Sequence, residues 1–293
     1  MNAHPATPNP FVDIVGCVKL PGIIYGTAWK KDATERLVVE AIRQGFRGID
    51  TACQPKHYDE AGVGRGVAQC LGDGLAPNGV LTRGDLYVQT KFTPLDGHDP
   101  RRIPYDPSAP IQEQVAQSFE TSLENLQTTY VDGLVLHSPL ASDAETLAAW
   151  RAFETIAERG DARSLGISNC YSLKSLESLY RSAHVKPAVV QNRFHKATGY
   201  DAAIRTFCRA HGIVYQSFWT LTANPHVLES SAVVKIATSH GRTPAQVLFR
   251  YLTQQDIVPL TGTTSVTHMR EDLALFAFTL NEAEQAAVTA LLR

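Results

Sequence analysis

Eight short apolar segments, most of them rich in Ile, Val or Tyr, recur along this chain of 293 residues and alternate with longer amphipathic segments. Each is too short for an ordinary helix, and such runs are typical of buried β-strands. These predicted strands are residues 22–26, 46–50, 86–90, 131–136, 164–167, 187–190, 212–217 and 257–260. The amphipathic segments predict helices that begin after Ser142 and after Thr243, and further helices at 33–44, 60–70, 111–126, 173–183, 200–211 and 281–292.

Strands that are each followed by a helix form parallel βαβ units, and eight such units predict a (β/α)8 TIM barrel, an α/β fold that spans residues 1–293 as a single domain. We expect residues 1–15 to form a flexible N-terminal arm. An open, doubly wound sheet is the alternative, but its glycine fingerprint is missing, because the only near match, at 62–66, lies within a helix pattern. Residues 93–110 predict a long loop, either a segment that covers the site or a disordered insertion.

Charge and cysteine content exclude several classes of protein. Lys plus Arg is 27 and Asp plus Glu is 29, a formal net charge of -2 that disfavours nucleic acid as a main partner. Five scattered cysteines without a C-x-x-C pair are typical of reduced intracellular thiols. Neither a signal peptide nor a stretch of roughly 18 apolar residues is visible, so we expect a cytoplasmic protein with no membrane partner, monomeric or weakly oligomeric. No metal is expected, because the histidines form neither H-x-H nor H-E-x-x-H.

Polar residues follow several predicted strands at their carboxyl ends, which is where a closed βα barrel builds its active site. They are Asp50, Lys91, His137, Ser168, Asn169, Gln191 and Asn192. Lys91 could form a Schiff base, as in aldolase-like barrels. Alternatively, Lys91 beside a carboxylate could lower the pKa of a phenol, which would then donate a proton near neutral pH. The tyrosine nearest to Asp50 is Tyr58, in the loop that leads to the next helix.

Over nearly its whole length the sequence resembles the aldo-keto reductase superfamily. The segments that carry the resemblance are GTAWK (26–30), GFRGIDTA (45–52), YDEAGVG (58–64), RGDLYVQTKF (83–92), SLENLQTTYVDGLVLHSP (122–139), SLGISNC (164–170) and TPAQVLFRY (243–251). The resemblance implies a (β/α)8 barrel and hydride transfer between a nicotinamide cofactor, usually NADPH, and a carbonyl or alcohol. The partner would be a small ketone or aldehyde, which is reduced to an alcohol.

The resemblance also implies a catalytic tetrad. Its members are Asp50, Tyr58, Lys91 and His137. Tyr58 would donate a proton to the carbonyl oxygen, and Lys91, held by Asp50, would lower the pKa of the phenol. His137 would orient the carbonyl by hydrogen bonding.

The loop before Tyr58 departs from the family pattern, because five residues rather than two separate it from Asp-Thr-Ala. Alignment backward from Glu60 puts His57 at the position of the family tyrosine, and alignment forward from Asp50 puts Pro55 there. Chemistry favours Tyr58, because proline cannot donate a proton and a phenol is the donor that Lys91 is suited to tune.

The resemblance further implies a cofactor site and a substrate pocket. Ser168, Asn169 and Gln191 would hold the nicotinamide carboxamide. Phe218 replaces the tyrosine that usually stacks on the nicotinamide ring. The implied cofactor contacts before the last strand are Gly26, Thr27, Asp50, Ser168, Asn169, Gln191, Ser217, Phe218, Trp219 and Leu221. The implied pocket residues are Trp29, His57, Phe92 and Ser138. Because Ser138 stands where the family commonly has Trp, we expect a wide pocket that accepts bulky ketones.

A segment after the last strand would hold the 2′-phosphate that distinguishes NADPH from NADH. Family members often supply Lys, Ser, Arg and Asn there, and the matching positions are Gly262, Thr263, His268 and Asp272. The Lys and Arg are lost, so hydroxyls and backbone amides of 262–265, Thr264 included, would hold the phosphate, with charge added by His268 and Arg270. The alternative is that these hydroxyls only cap the next helix. We expect NADPH as cofactor, with NADH possible and selectivity weaker than is usual.

Two other functions stay open on the sequence. One is a non-catalytic barrel that binds a nucleotide and regulates a partner protein, which the altered loop around Tyr58 would permit. The other is a Schiff-base lyase that uses Lys91, although the implied nicotinamide pocket disfavours it.

Overall fold

The computed structural model describes residues 11–14, 18–73 and 80–293. An antiparallel hairpin precedes the barrel and pairs Phe11 with Pro21; its strands are β1 (Phe11–Ile14) and β2 (Val18–Pro21). Of the predicted arm at 1–15, residues 11–14 form a strand of this hairpin, while residues 1–10 and 15 lie outside the described residues. The hairpin was missed because two strands of four residues each give little periodic signal.

Eight parallel strands close into the predicted barrel. They are β3 (Ile24–Gly26), β4 (Gly48–Asp50), β5 (Tyr87–Phe92), β6 (Gly133–Leu136), β7 (Leu165–Ser168), β8 (Val189–Arg193), β9 (Val214–Phe218) and β10 (Ile257–Thr261). Neighbouring strands follow the order of the chain, and β10 pairs with β3 to close the ring. All eight predicted strands are confirmed, with bounds that differ by up to three residues at either end.

Helices surround the barrel and bury one face each against it. They are α1 (Thr34–Gln44), α2 (Glu60–Gly72), α3 (Ile111–Leu126), α4 (Asp143–Glu158), α5 (Leu173–Ser182), α6 (Ala202–Ala210), α7 (Pro225–Leu228), α8 (Ser231–His240), α9 (Pro244–Thr253), α10 (Val266–Leu273) and α11 (Glu282–Leu291). The predicted start signals are confirmed for α4, whose Ser142 side chain accepts from the Glu145 N–H, and for α9, whose capping box joins Thr243 and Gln246. Helices α7 and α8 were not predicted.

The interior of the barrel is layered from apolar to polar. At the amino-terminal end of the strands, an apolar layer is closed from below by β2; it contains Leu20, Ile24, Tyr87, Val214 and Val258. Polar side chains lie above this layer, at the carboxyl ends of the strands, which form the mouth of the barrel as the sequence predicts.

The long loop 93–110 lies beside the loop that carries Tyr58 and is bonded to it. Gln54 donates from Nε2 to the backbone oxygen of Gly97 at 2.7 Å, and the buried Tyr105 donates to the backbone oxygen of Thr93 at 2.9 Å. The first bond joins the two loops into one wall of the mouth, and the second lies within the loop 93–110. In the described parts of the chain, no helix is long and apolar enough to cross a membrane, and no cluster of three potential metal ligands occurs.

Candidate active site

A buried ion pair lies at the ends of two adjacent strands. Lys91 of β5 places its Nζ 2.6 Å from Oδ1 and 2.7 Å from Oδ2 of Asp50, the last residue of β4. A third bond, of 2.8 Å, goes to the backbone oxygen of Thr51. Burial lowers the pKa of Lys91, and the charge of Asp50 opposes that shift. The pair formed because side chains alternate along a strand, so that Lys91 and the last residue of β4 both face the interior.

Tyr58 lies over this ion pair. Its ring centroid is 5.2 Å from Nζ of Lys91 and 6.0 Å from the ring centroid of His137. Burial raises the pKa of the Tyr58 phenol, and the nearby charge of Asp50 raises it further. The net shift of this pKa is therefore upward, and none of the ammonium hydrogen bonds of Lys91 goes to the phenol, since they go to Asp50 and Thr51. That the charge of Lys91 opposes this shift stays a prediction.

The two other candidates for the tyrosine position lie elsewhere. His57 stacks against Trp29, with ring centroids 4.0 Å apart, and its backbone oxygen accepts from the Trp29 N–H at 2.7 Å. Burial lowers the pKa of His57, and the charge of Lys56 adds to that effect. His57 and Pro55 line a cavity of about 570 Å³, which Tyr58 also lines. Tyr58 alone of the three lies between Lys91 and His137.

His137 follows β6 and is oriented by Thr93, whose Oγ1 is 2.6 Å from Nδ1 of the imidazole. Burial, and after it the charge of Lys91, holds the pKa of His137 well below its ordinary value. The imidazole is therefore neutral near pH 7 and has one N–H to donate. Sequence reasoning missed Thr93, because nothing in the pattern TKFTP indicates a contact with a residue 44 positions later.

Three predicted cofactor residues come together at the ends of β7 and β8. Asn169 adopts a left-handed conformation, with φ of 51°, and donates from Nδ2 to the backbone oxygen of His137 at 2.8 Å and to Oγ of Ser168 at 3.3 Å. Gln191 donates from Nε2 to Oδ1 of Asp50 at 3.0 Å. The structure thus joins the predicted carboxamide site to the ion pair through one hydrogen bond.

The end of β9 separates the predicted cofactor residues into two groups. Phe218 lies on the interior face of the strand, and Trp219 is 50% exposed beneath the guanidinium of Arg193, 4.0 Å from the ring centroid. Ser217 is fully buried on the opposite face, where its hydroxyl accepts from Thr220 at 2.9 Å. Leu221 packs in part against the core. Strand alternation turns the Ser217 side chain away from the mouth, so that a contact of this residue with the cofactor would have to come from its backbone.

The predicted phosphate segment, 262–265, follows β10. Ser265 caps α10 by accepting from the His268 N–H, and Oγ1 of Thr263 is 3.5 Å from Nδ1 of His268. Thr264 and His268 are exposed. Lys30 reaches across from the loop after β3 and donates to the backbone oxygen of Gly262. Its Nζ lies 3.4 Å from the position that a Cβ at residue 262 would occupy. Lys30 thus places a positive charge beside Gly262, although it comes from another loop.

Two side chains expected near the phosphate have other partners in the structure, those of Asp272 and Arg270. Asp272 is 4% exposed and accepts from Oγ1 of Thr261 at 2.7 Å, and burial raises its pKa to about 7. Its carboxyl therefore supports β10 instead of facing a phosphate. Arg270 donates to Oε1 of Gln44 on α1 at 2.8 Å, which draws its charge away from 262–265.

The remaining predictions concern the first loop and the substrate pocket. Gly26 ends β3 at the mouth, and Thr27 is buried, with N–H and hydroxyl bonded to the backbone oxygen of Asp50 at 3.0 Å and 2.8 Å. Trp29 is 58% exposed at the rim, and Ser138 is half-buried beside His137. Phe92 is 1% exposed and packs on Tyr105 and Phe153 outside the barrel, so its assignment to the pocket is wrong.

Comparisons with known proteins agree with this geometry. The model of the aldo/keto reductase family matches residues 22–293. An aldo-keto reductase of Mycolicibacterium vanbaalenii is 31% identical over 274 residues, which covers 93% of this chain and 88% of the relative. A probable NAD(P)H-dependent D-xylose reductase of Emericella nidulans is 28% identical, with 96% and 93% covered. The crystal structure of an aldo/keto reductase from Brucella melitensis has a TM-score of 0.80 at 27% identity, and covers 96% of this chain and 99% of that one.

The family match spans all eight barrel strands, from Ile24 at the start of β3 to Thr261 at the end of β10. It includes the strand ends that carry Asp50, Lys91 and His137. This chain belongs to the aldo/keto reductase family and is an NAD(P)H-dependent oxidoreductase.

Proposed function

We propose that this protein reduces a ketone or aldehyde to the alcohol with NADPH, and that Tyr58 donates the proton. The observation that carries the proposal is the buried pair of Asp50 and Lys91, 2.6 Å apart, beneath the rings of Tyr58 and His137. The protonated phenol can serve as an acid, and the neutral imidazole can donate a hydrogen bond. The fixed ammonium beside them supplies a positive charge at the same mouth.

The carboxamide end of the cofactor fits the polar groups present. Both N–H groups of Gln191 are used, by Asp50 at 3.0 Å and by Gln216 at 2.9 Å, so its Oε1 is left to accept from an amide NH2. The hydroxyl of Ser168 accepts from Asn169 and can still donate to a carbonyl oxygen. Phe218, which is in register with Arg193 two residues after Gln191, offers an aromatic face closer to the mouth. Bound there, a reduced nicotinamide supplies the hydride.

The protein's own residues manage the proton. The raised pKa of Tyr58 keeps its phenol protonated at neutral pH, which is the form that can donate to a carbonyl oxygen. The ammonium of Lys91, 5.2 Å from the ring, stabilises the phenolate left behind. When Thr93 donates to Nδ1 of His137, the imidazole proton sits on Nε2 and can bind the same carbonyl oxygen.

The 2′-phosphate of NADPH fits the segment 262–265. Lys30 supplies a cation next to Gly262, and the exposed His268 and Thr264 flank the start of α10. Burial lowers the pKa of Lys30, and a phosphate would oppose that shift by favouring the charged form. Because Lys30 is the cation that reaches this segment from another loop, and the nearby Arg270 is bonded to Gln44, we propose NADPH with modest selectivity over NADH.

We propose bulky or aromatic ketones as substrates. Ser138 leaves space beside His137, and the stacked pair of Trp29 and His57 provides an aromatic wall at the rim. Such a wall favours substrates with a flat apolar face. A strong preference for aldehydes of two or three carbons would contradict this choice of substrate.

The function is tested by mixing the protein with NADPH and a panel of aldehydes and ketones, and by following the absorbance of the reduced cofactor. Turnover supports the proposal. Cofactor binding without turnover of any panel member would favour a regulatory, non-catalytic barrel. Borohydride trapping of a carbonyl compound on Lys91, lost in Lys91→Met, would favour a Schiff-base lyase.

A further inference from the structure

Three glutamine side chains form a layer across the barrel just below the mouth. Each comes from a different strand: Gln89 from β5, Gln191 from β8 and Gln216 from β9. Gln89 and Gln216 are fully buried, and Gln191 is 3% exposed. The interior of such a barrel is ordinarily filled by branched apolar side chains, so three buried amides at one level need a physical reason.

Hydrogen bonds close this layer, which we call the glutamine ring, on Asp50. Oδ1 of Asp50 accepts from Nε2 of Gln89 at 2.7 Å and from Nε2 of Gln191 at 3.0 Å. Both amides also donate to Oε1 of Gln216, at 3.0 Å and 2.9 Å. Gln216 donates from Nε2 to Oε1 of Gln89 at 3.1 Å, and that oxygen also accepts from the hydroxyl of Tyr87 at 3.0 Å. Every member therefore holds its neighbours.

The hydrogen bonds of the glutamine ring fix the orientation of each amide, that is, which neighbour its nitrogen faces and which its oxygen faces. A carboxylate only accepts hydrogen bonds, so Gln191 must turn its nitrogen toward Asp50. Its second N–H meets Oε1 of Gln216, which is fixed in turn because Gln216 donates to an oxygen of Gln89. A flipped Gln191 would set its oxygen against two acceptors in a buried site, which is unfavourable.

The exposed end of Gln191 is consequently an acceptor. Its Oε1 has no hydrogen-bond partner among the described residues, and this atom is accessible to solvent. We propose that Gln216 is a positioning residue that presents Oε1 of Gln191 to the NH2 of the cofactor carboxamide. This inference rests on the proposed function, and Gln216 itself touches neither substrate nor cofactor.

Two cofactors that differ only at this amide test the inference. In the 3-acetylpyridine analogue of NADPH, a methyl group replaces the carboxamide NH2, so the analogue cannot donate to Gln191. Dissociation constants for NADPH and for the analogue are measured by titration calorimetry, without turnover, for the natural protein and for Gln216→Met. Methionine has similar length but neither accepts nor donates a strong hydrogen bond. We expect Gln216→Met to raise the dissociation constant for NADPH by about 5-fold, which corresponds to the loss of one neutral hydrogen bond, and that for the analogue by less than about 2-fold.

Two further variants separate positioning from general damage. Gln191→Met should likewise bind NADPH and the analogue with more similar dissociation constants than the natural protein does. Gln254→Met removes two hydrogen bonds to the backbone of Leu280, of 2.8 Å and 2.9 Å, far from the mouth, and should leave the ratio of the two dissociation constants unchanged. If Gln216→Met does not fold, Gln216→Leu gives the same test with a side chain typical of barrel interiors.

Equal weakening of both cofactors by Gln216→Met, or no weakening, while Gln191→Met still abolishes the discrimination, would overturn the role of Gln216 and leave the proposed function intact. If the natural protein binds neither cofactor, the proposed function fails and this inference fails with it.

Discussion

Lys91 gives two of its three ammonium hydrogen bonds to the carboxylate of Asp50 and the third to the backbone of Thr51, all within 2.8 Å. The donor capacity of the ammonium is therefore complete before any substrate is bound. Tyr58 feels Lys91 through its charge, across 5.2 Å, and not through a hydrogen bond. Removal of the phenolic proton must be coupled to its delivery to the carbonyl oxygen, because the phenol is not acidic by itself.

The contact between Thr93 and His137 predicts an effect on chemistry without an effect on cofactor binding. Thr93→Val removes the hydroxyl 2.6 Å from Nδ1 and leaves the imidazole free to change tautomer. We expect kcat/KM for a carbonyl substrate to fall by roughly 10-fold, the cost of about one misplaced hydrogen bond, with the Kd for NADPH changed by less than about 2-fold. Thr121→Val on α3 is the matched control, since its hydroxyl bonds only to backbone oxygens. An unchanged kcat/KM for Thr93→Val would show that Thr93 does not orient His137 for the reaction.

The reach of Lys30 to Gly262 predicts which cofactor depends on this lysine. Lys30→Gln should raise the Kd for NADPH by about 10-fold, because a charge-assisted contact with the 2′-phosphate is lost, and should change the Kd for NADH little. Lys31→Gln, the adjacent residue, serves as the control for net charge. Titrations with both cofactors give the ratio directly. Equal loss for NADPH and NADH would assign Lys30 to the phosphates that both cofactors share.

How much of this site could be predicted from the sequence depended on distance along the chain. The common location of Asp50, Lys91 and His137 could be predicted because each follows a short apolar run, and barrel geometry brings the strand ends to one mouth. The contact of Lys30 with Gly262 spans 232 positions, and that of Gln89 with Gln216 spans 127. Such contacts depend on the closure and register of the barrel, which local periodicity does not encode.

Strand alternation alone predicts the orientation of two side chains. Since Lys91 faces the interior, its neighbour Phe92 must face the helices, and it does, against Phe153. The same rule places Ser217 outside once Phe218 faces the mouth. Helix α8 was not predicted, although Ser230 caps it by accepting a hydrogen bond from the Val233 N–H.

The buried carboxyl of Asp272 predicts a pH dependence of stability. Its pKa is about 7 in the folded protein and near 3.8 when exposed, so the folded state binds the proton more tightly. The free energy of unfolding should therefore fall as pH rises from about 4 to about 7, by at most a few kcal/mol at about 1.4 kcal/mol per pKa unit. Asp272→Asn keeps an acceptor for Thr261 and removes the charge.

Thermal unfolding measured at pH 5 and pH 8 checks this prediction. Asp272→Asn should melt higher than the natural protein at pH 8 and show a smaller difference at pH 5. Asp96→Asn, on the exposed part of the long loop, is the control and should follow the natural protein at both values. A constant difference between Asp272→Asn and the natural protein across this range would show that the carboxyl does not titrate there.

The identity of the proton donor is the central claim, and a pair of adjacent variants tests it most directly. Turnover of one carbonyl substrate with NADPH is measured for Tyr58→Phe and for His57→Ala, with the Kd for NADPH as the check that each protein is folded. Tyr58 lies between Lys91 and His137, whereas His57 stacks on Trp29 at the rim. We predict that Tyr58→Phe lowers kcat by at least about 100-fold, as loss of a general acid does, and that His57→Ala retains kcat within about 10-fold. An active Tyr58→Phe beside an inactive His57→Ala would contradict the account.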